Sequence, residues 1–179
     1  MSVYAQAAYA SNPLPQYGTE VPAHAVPGLH LMIQLRTRAF PTVRRLARIH
    51  VLPERFLEFC PACGGHVSES VEHLLVECPR WECHRRVLAV SAPEFKRVVG
   101  RASSCPGDTV ALILGGVPPP LHGKPEFSGH GNDFLQLWRR ALPHIALFVT
   151  NLSLSRNVFL REIGLAPPRI TRTGRRPNG

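Results

Sequence analysis

Cys60-Pro-Ala-Cys63-Gly-Gly-His-Val-Ser-Glu-Ser-Val-Glu-His73-Leu-Leu-Val-Glu-Cys78-Pro79 is the stretch whose reading decides this chain. It spaces its soft ligands as C-x2-C-x9-H-x4-C. Three thiolates and an imidazole are the donor set of a closed, tetrahedral structural zinc site. A catalytic zinc keeps one position open for water. The pattern therefore points to Zn2+ as a structural cofactor in a folded binding module.

Local signals support Cys60, Cys63, His73 and Cys78 as one site. Gly64 and Gly65 permit the positive φ angles that turn backbone amides toward thiolate sulfur. Ser68 or Ser70 suits the cap of a short helix in which Val71, Leu74 and Leu75 face inward. On an ideal α-helix, residues five apart point in different directions. Pro79 biases Cys78 out of the α region, so the helix should stop there and Cys78 can swing toward the metal. His66 in place of His73, and Cys83 or His84 in place of Cys78, stay open as alternatives. An all-cysteine iron–sulfur site needs Cys83 and is remote.

Working outward, the surroundings are dense in arginine. The 179 residues carry a formal charge of +9, with Lys96 and Lys124 the only lysines. Such an excess points to nucleic acid, or less often to an anionic membrane. The planar fork of arginine also suits phosphate. Arg36, Arg38, Arg44, Arg45 and Arg48 lie in a segment without a single acid. Arg80, Arg85 and Arg86 extend this candidate nucleic-acid surface, diluted by Glu82. The bland alternative for the whole set is a solvated helix face.

Apolar periodicity predicts a mainly α fold: a small helical domain built around the zinc knuckle. Leu31, Met32, Leu35 and Ala39 share a face in a helix over 29–40. Pro41 opens a second, with Val43, Leu46 and Ala47 inward. Short helices follow over 81–90 and 93–99. Asp108 is read as the cap of a helix over 109–114, ended by Gly115-Gly116. The longest stripe, Phe134, Trp138, Ala141, Leu142, Ile145 and Val149, predicts a helix over 132–151 kinked at Pro143. A last helix covers 154–163. Trp81 is read as core behind the metal, with base stacking as its alternative. Trp138 is read as core and Cys105 as a bystander. His122, His130 and His144 show no ligand spacing.

The expected layout is a disordered leader over 1–27, a helical zinc-binding domain over 28–101, and a helix with a Pro/Gly-rich linker over 102–131. C-terminal helices over 132–165 and a basic disordered tail over 166–179 complete it. No run suits a membrane span or a targeting signal, and clustered cysteines fit a reducing compartment, so the chain is expected inside the cell, in nucleus or cytoplasm. Catalysis is not expected. There is no P-loop, G-x-S-x-G or H-E-x-x-H motif. Asp108 and Asp133 are the only aspartates, whereas two-metal chemistry needs several converging carboxylates.

The run LMIQLRTRAFPTVRRLARIHVLPERFLEFCPACGGHVSESVEHLLVECPRWECHRRVL resembles the C-terminal region of reverse transcriptase polyproteins of LINE-type (non-LTR) retrotransposons. The likeness rests on Leu35-Arg36-Thr37, on Cys60-Pro-Ala-Cys63-Gly, and on Glu69-Ser-Val-Glu72-His73 followed by Cys78-Pro79. It covers about residues 29–90. It implies a zinc-binding domain with Cys60, Cys63, His73 and Cys78 as ligands, which holds RNA or target DNA beside the rest of a reverse transcriptase machinery. The polymerase core and endonuclease of that family are absent here, so its catalysis does not carry over. Two further readings stand beside this one. One is a zinc-stabilised adapter that docks a protein through the Phe134–Val149 face. The other is a non-functional retroelement remnant.

Overall fold

The computed structural model describes residues 22–118, 121, 127 and 133–165. The basic tail, residues 1–21 of the leader and part of the Pro/Gly-rich linker lie outside the described residues. Among those described there is no strand. The helices are α1 (Val26–Arg36), α2 (Val43–Arg48), α3 (Glu82–Ser91), α4 (Pro93–Ala102), α5 (Pro106–Ile113) and α6 (Asp133–Glu162). Short 3-10 turns at Ala23–Ala25, Glu54–Leu57 and Pro79–Trp81, and one π-helical turn at His73–Glu77, join them. The chain is thus mainly α, as its periodicity predicts.

α1 begins inside the stretch read as leader, with Pro27 in its first turn, where a missing N–H costs nothing. It buries Gly28, Leu29, Met32 and Leu35. The helix stops at Arg36 rather than running to residue 40. Arg38 takes φ 58°, and the amides of Ala39 and Phe40 both donate back to the Gln34 carbonyl, at 2.7 and 3.0 Å. Ala39 is therefore outside the helix and exposed. Thr42, not Pro41, starts α2: its hydroxyl accepts from the Arg45 N–H at 3.2 Å. Val43, Leu46 and Ala47 face inward as expected.

α5 also starts earlier than its sequence suggests. Asp108 sits in the first turn, and its Oδ2 accepts from both the N–H and the hydroxyl of Ser104, at 2.9 and 3.0 Å. It steadies the entry to the helix without being its cap. Gly115, at φ 77°, ends it; Gly116 N–H donates to the Ala111 carbonyl at 2.8 Å.

The largest departure is α6, one 30-residue helix that runs through Pro143 and absorbs both C-terminal helices expected from the sequence. At ~1.5 Å per residue it spans roughly 45 Å and acts as the axis of the fold. Its stripe of Phe134, Trp138, Ala141, Leu142, Ile145 and Val149 is wholly buried. The Trp138 Nε1–H donates to the Ile113 carbonyl at 3.0 Å. Tertiary packing outweighs the propensity cost of the proline here. α1 crosses α6 at Gly28, where an added Cβ would lie 2.0 Å from the Ala146 carbonyl oxygen. Only glycine permits that approach. α2 docks separately: Val43, Ala47 and Phe56 close on Leu160 near the end of α6.

Candidate metal centre

The knuckle forms because Gly64, at φ 71°, closes a tight turn. Its N–H donates to the Cys60 carbonyl at 2.9 Å, and Cys60 N–H donates to the Gly65 carbonyl at 3.1 Å. Gly65 does not share the positive φ, contrary to expectation. The amides of Ala62 and Cys63 are turned toward the Cys60 sulfur, and that of Arg80 toward Cys78. Backbone dipoles thereby favour anionic sulfur before any cation arrives.

The second half of the site is carried by the π-helical turn. Ser70 stands just before the helical residues 71–72 that lead into it, its hydroxyl accepting from the His73 N–H at 3.1 Å. The Cys78 N–H then donates to the His73 carbonyl at 2.7 Å, an i→i+5 closure. A five-residue turn brings His73 and Cys78 to one side, which a four-residue turn would not. Pro79 behaves as expected, leaving Cys78 extended at φ −58°, ψ 117°. The wide turn itself was not legible from spacing. Leu74 and Leu75, at 0% and 1% exposure, anchor it with about 3–6 kcal/mol of burial.

The ligand atoms of Cys60, Cys63, His73 and Cys78 all lie within 4.8 Å of one another. The edges of a tetrahedral zinc site with two Zn–S bonds, or one Zn–S and one Zn–N, run roughly 3.5–3.8 Å. Cys63 Sγ and His73 Nε2 are already 3.4 Å apart. The cluster is of the size and chemistry that holds a metal ion. The neighbouring Cys78 thiol, and then burial, push the Cys60 thiol far up, while the same neighbour pulls Cys78 down. A cation would displace the thiol protons.

Two carboxylates organise the site; the sequence reading named Glu69 only within the family likeness and gave Glu77 no role. Glu77 Oε2 lies 3.5 Å from His73 Nδ1, which fixes the ring so that Nε2 faces the thiols. Glu69, at 1% exposure, is paired with Arg156 of α6, at 2%. Arg156 Nη2 donates to Glu69 Oε1 at 2.6 Å and to the Pro41 carbonyl at 2.9 Å. Its Nε donates to both Glu69 oxygens at 3.1 Å. Glu69 Oε1 also accepts from the Val43 N–H at 2.8 Å. One buried carboxylate thus ties the metal-bearing segment to α2 and α6. A carboxylate four residues upstream of the ligand histidine, and another four downstream, was the available signal.

The alternative ligands fall elsewhere. His66 is exposed and edge-on to Phe59, with ring centroids 6.1 Å apart. Cys83 is exposed on α3. His84 leans on Trp81 at 6.3 Å, and burial, then Arg85, lowers its pKa. Trp81 is buried, edge-on to Phe159, which favours its core role.

The arginines separate into two groups. Arg36 donates Nε to the Leu114 carbonyl at 2.7 Å and lies over the Trp138 ring. Arg85 donates to the Cys78 carbonyl at 2.7 Å and to Glu82 at 3.0 Å, and Arg86 pairs with Glu82 at 3.2 Å. Arg80 lies over Phe159 while remaining exposed. Arg36 and Arg85 therefore serve the fold. Arg38, Arg44, Arg45 and Arg48 stay exposed and line a groove of about 780 Å³, whose lining also includes Ser70, Val71 and Glu72. Arg45 reaches the Arg38 carbonyl within it. No helix among the described residues is long and apolar enough to cross a membrane. No protein-family model, curated protein or solved structure matches this chain.

Proposed function

We propose that the chain is a zinc-stabilised module that binds RNA or DNA through the arginine groove beside its metal-bearing turn. One observation carries the reading: four exposed arginines and a single acid, Glu72, share a groove with Ser70 and Val71, next to His73 in the chain. Zinc would be held by Cys60, Cys63, His73 and Cys78 and would supply a fixed scaffold, with no chemistry of its own. Arg38, Arg44, Arg45 and Arg48 would hold phosphates, and backbone contacts of this kind position a nucleic acid without reading its sequence. An origin at the end of a LINE-type reverse transcriptase polyprotein belongs to the same proposal. It rests on the motif resemblance alone.

The test is an anisotropy titration of the zinc-loaded chain against labelled single- and double-stranded RNA and DNA at stepped salt. Four phosphate contacts give a slope of about −3.6 on a duplex, or about −2.8 on a single strand. Affinity should then fall roughly 50- to 150-fold between 50 and 200 mM salt. Arg44→Glu with Arg48→Glu should flatten that slope. No binding to any of the four probes at 50 mM salt refutes the proposal and favours a functionless remnant.

A further inference from the structure

The protein-docking alternative placed its surface on the Phe134–Val149 face, but that face is core. A different surface has the required properties. α3 and α4 meet at Ala92 and open into a cleft of about 230 Å³. α3 presents Arg85, Leu88 and Ala89 to it; α4 presents Phe95, Lys96, Val99 and Gly100. Both sets follow the i, i+3, i+4 spacing of a helix face. Leu75 and Val76 of the metal-bearing turn, Thr109 and Ile113 of α5 and Phe148 of α6 complete the lining.

The cleft is apolar inside and cationic in its only charges. Arg85 and Lys96 are the charged residues that line it, and no acid does. Arg85 donates Nη2 to the Cys78 carbonyl and Nε to Glu82, whereas Lys96 is exposed. Two cations with no acid in the lining favour an acidic partner. Phosphate backbones have no use for such a floor, whereas helix-in-groove recognition uses apolar anchors flanked by charge.

We infer that the α3–α4 cleft docks an acidic amphipathic helix of a protein partner, with apolar anchors on its floor and carboxylates beside Arg85 and Lys96. The site is separate from the arginine groove. Because Leu75 and Val76 wall the cleft and Arg85 grips Cys78, occupancy by the partner and by metal should reinforce each other.

The experiment uses the full zinc-loaded chain and three labelled helical peptides. The first carries leucines at i, i+3, i+4 and i+7 among glutamates. The second replaces those leucines with alanine, and the third replaces the glutamates with lysine. Only the first should bind, with the others at least tenfold weaker, and amide NMR shifts should cluster at Val76, Leu88, Phe95 and Val99. Gly100→Leu adds bulk to the cleft wall, where no atom lies within 4 Å of an added Cβ. It should keep the fold, zinc content and nucleic-acid affinity while losing at least tenfold in peptide affinity. Lys96→Glu should lose about fivefold by charge reversal. Equal binding of the alanine peptide, equal binding of the lysine peptide, or an unaffected Gly100→Leu variant each overturns the inference. Decanoate that binds where the peptide does not overturns it too, marking a small-acid site instead.

Discussion

Replacing Glu69 with alanine removes one carboxylate and leaves the Arg156 guanidinium 2% exposed and without its counter-ion. At the surface such a pair contributes about 0–1 kcal/mol. Here both partners are buried, and Glu69 accepts three contacts from Arg156 plus the Val43 N–H at 2.8 Å. Breaking a buried pair from one side costs about 3–5 kcal/mol, because the remaining charge cannot regain water. For a chain of this size that is a drop in Tm of roughly 6–20 °C. The Val43 amide, at the start of α2, loses its acceptor as well, so the arginine groove should loosen with the core. The assay is urea denaturation followed by far-UV circular dichroism under zinc saturation, which keeps metal occupancy constant. A second variant separates lost charge pairing from lost volume. Glu69→Leu combined with Arg156→Met should recover most of the stability, since apolar isosteres of a buried pair are near neutral. A loss below about 1 kcal/mol for Glu69→Ala, or a double variant no better than the single, refutes the reasoning.

Three further outcomes follow from the geometry. Glu77→Gln should weaken zinc about tenfold, near 1.4 kcal/mol, by loosening the His73 ring, as read by competition with a chromophoric chelator; unchanged affinity would show that the ring is held by packing alone. Gly28→Ala gains about 1 kcal/mol of helix propensity but places a methyl 2.0 Å from the Ala146 carbonyl oxygen. Separating α1 from α6 costs more than that gain, so thermal melts should show net destabilisation of about 1–3 kcal/mol. His84 is held below its ordinary pKa by burial and then by Arg85. The folded state therefore binds fewer protons, and stability should fall as pH drops below about 6.5. His84→Asn should flatten that part of the profile, compared at equal zinc occupancy.

How much of this was legible in advance differs from residue to residue. The burial of Val43, Leu46 and Ala47 and of the whole Phe134–Val149 stripe follows from period, because a face that repeats every 3.6 residues must be covered. The break at Cys78 follows from Pro79, a local steric effect. Helix ends were less legible. Arg38 in a left-handed conformation and Thr42 as a cap depend on where the chain must turn to let α2 dock. Pro143 suggested a kink between two C-terminal helices, yet one helix runs through it. The packing along α6, which involves Leu142 and Ile145 on either side of the proline, is a tertiary matter.

The amino-acid sequence by itself determined the ligand types, their spacing and the basic excess. These are properties of side-chain chemistry and chain connectivity, and they need no fold to be read. Only the tertiary structure decided which side chains share a site. Through a five-residue turn that spacing does not announce, it brought His73 and Cys78 beside Cys60 and Cys63 while leaving His66 and Cys83 outside. It assigned Arg36 to the Leu114 carbonyl and Arg85 to that of Cys78, and left Arg38, Arg44, Arg45 and Arg48 along one groove. It also joined Glu69 to Arg156 across 87 residues. The physical reason is common to all three. A charged or ligating side chain acts through partners within a few ångströms, and for residues far apart in sequence those distances are set by how the helices pack.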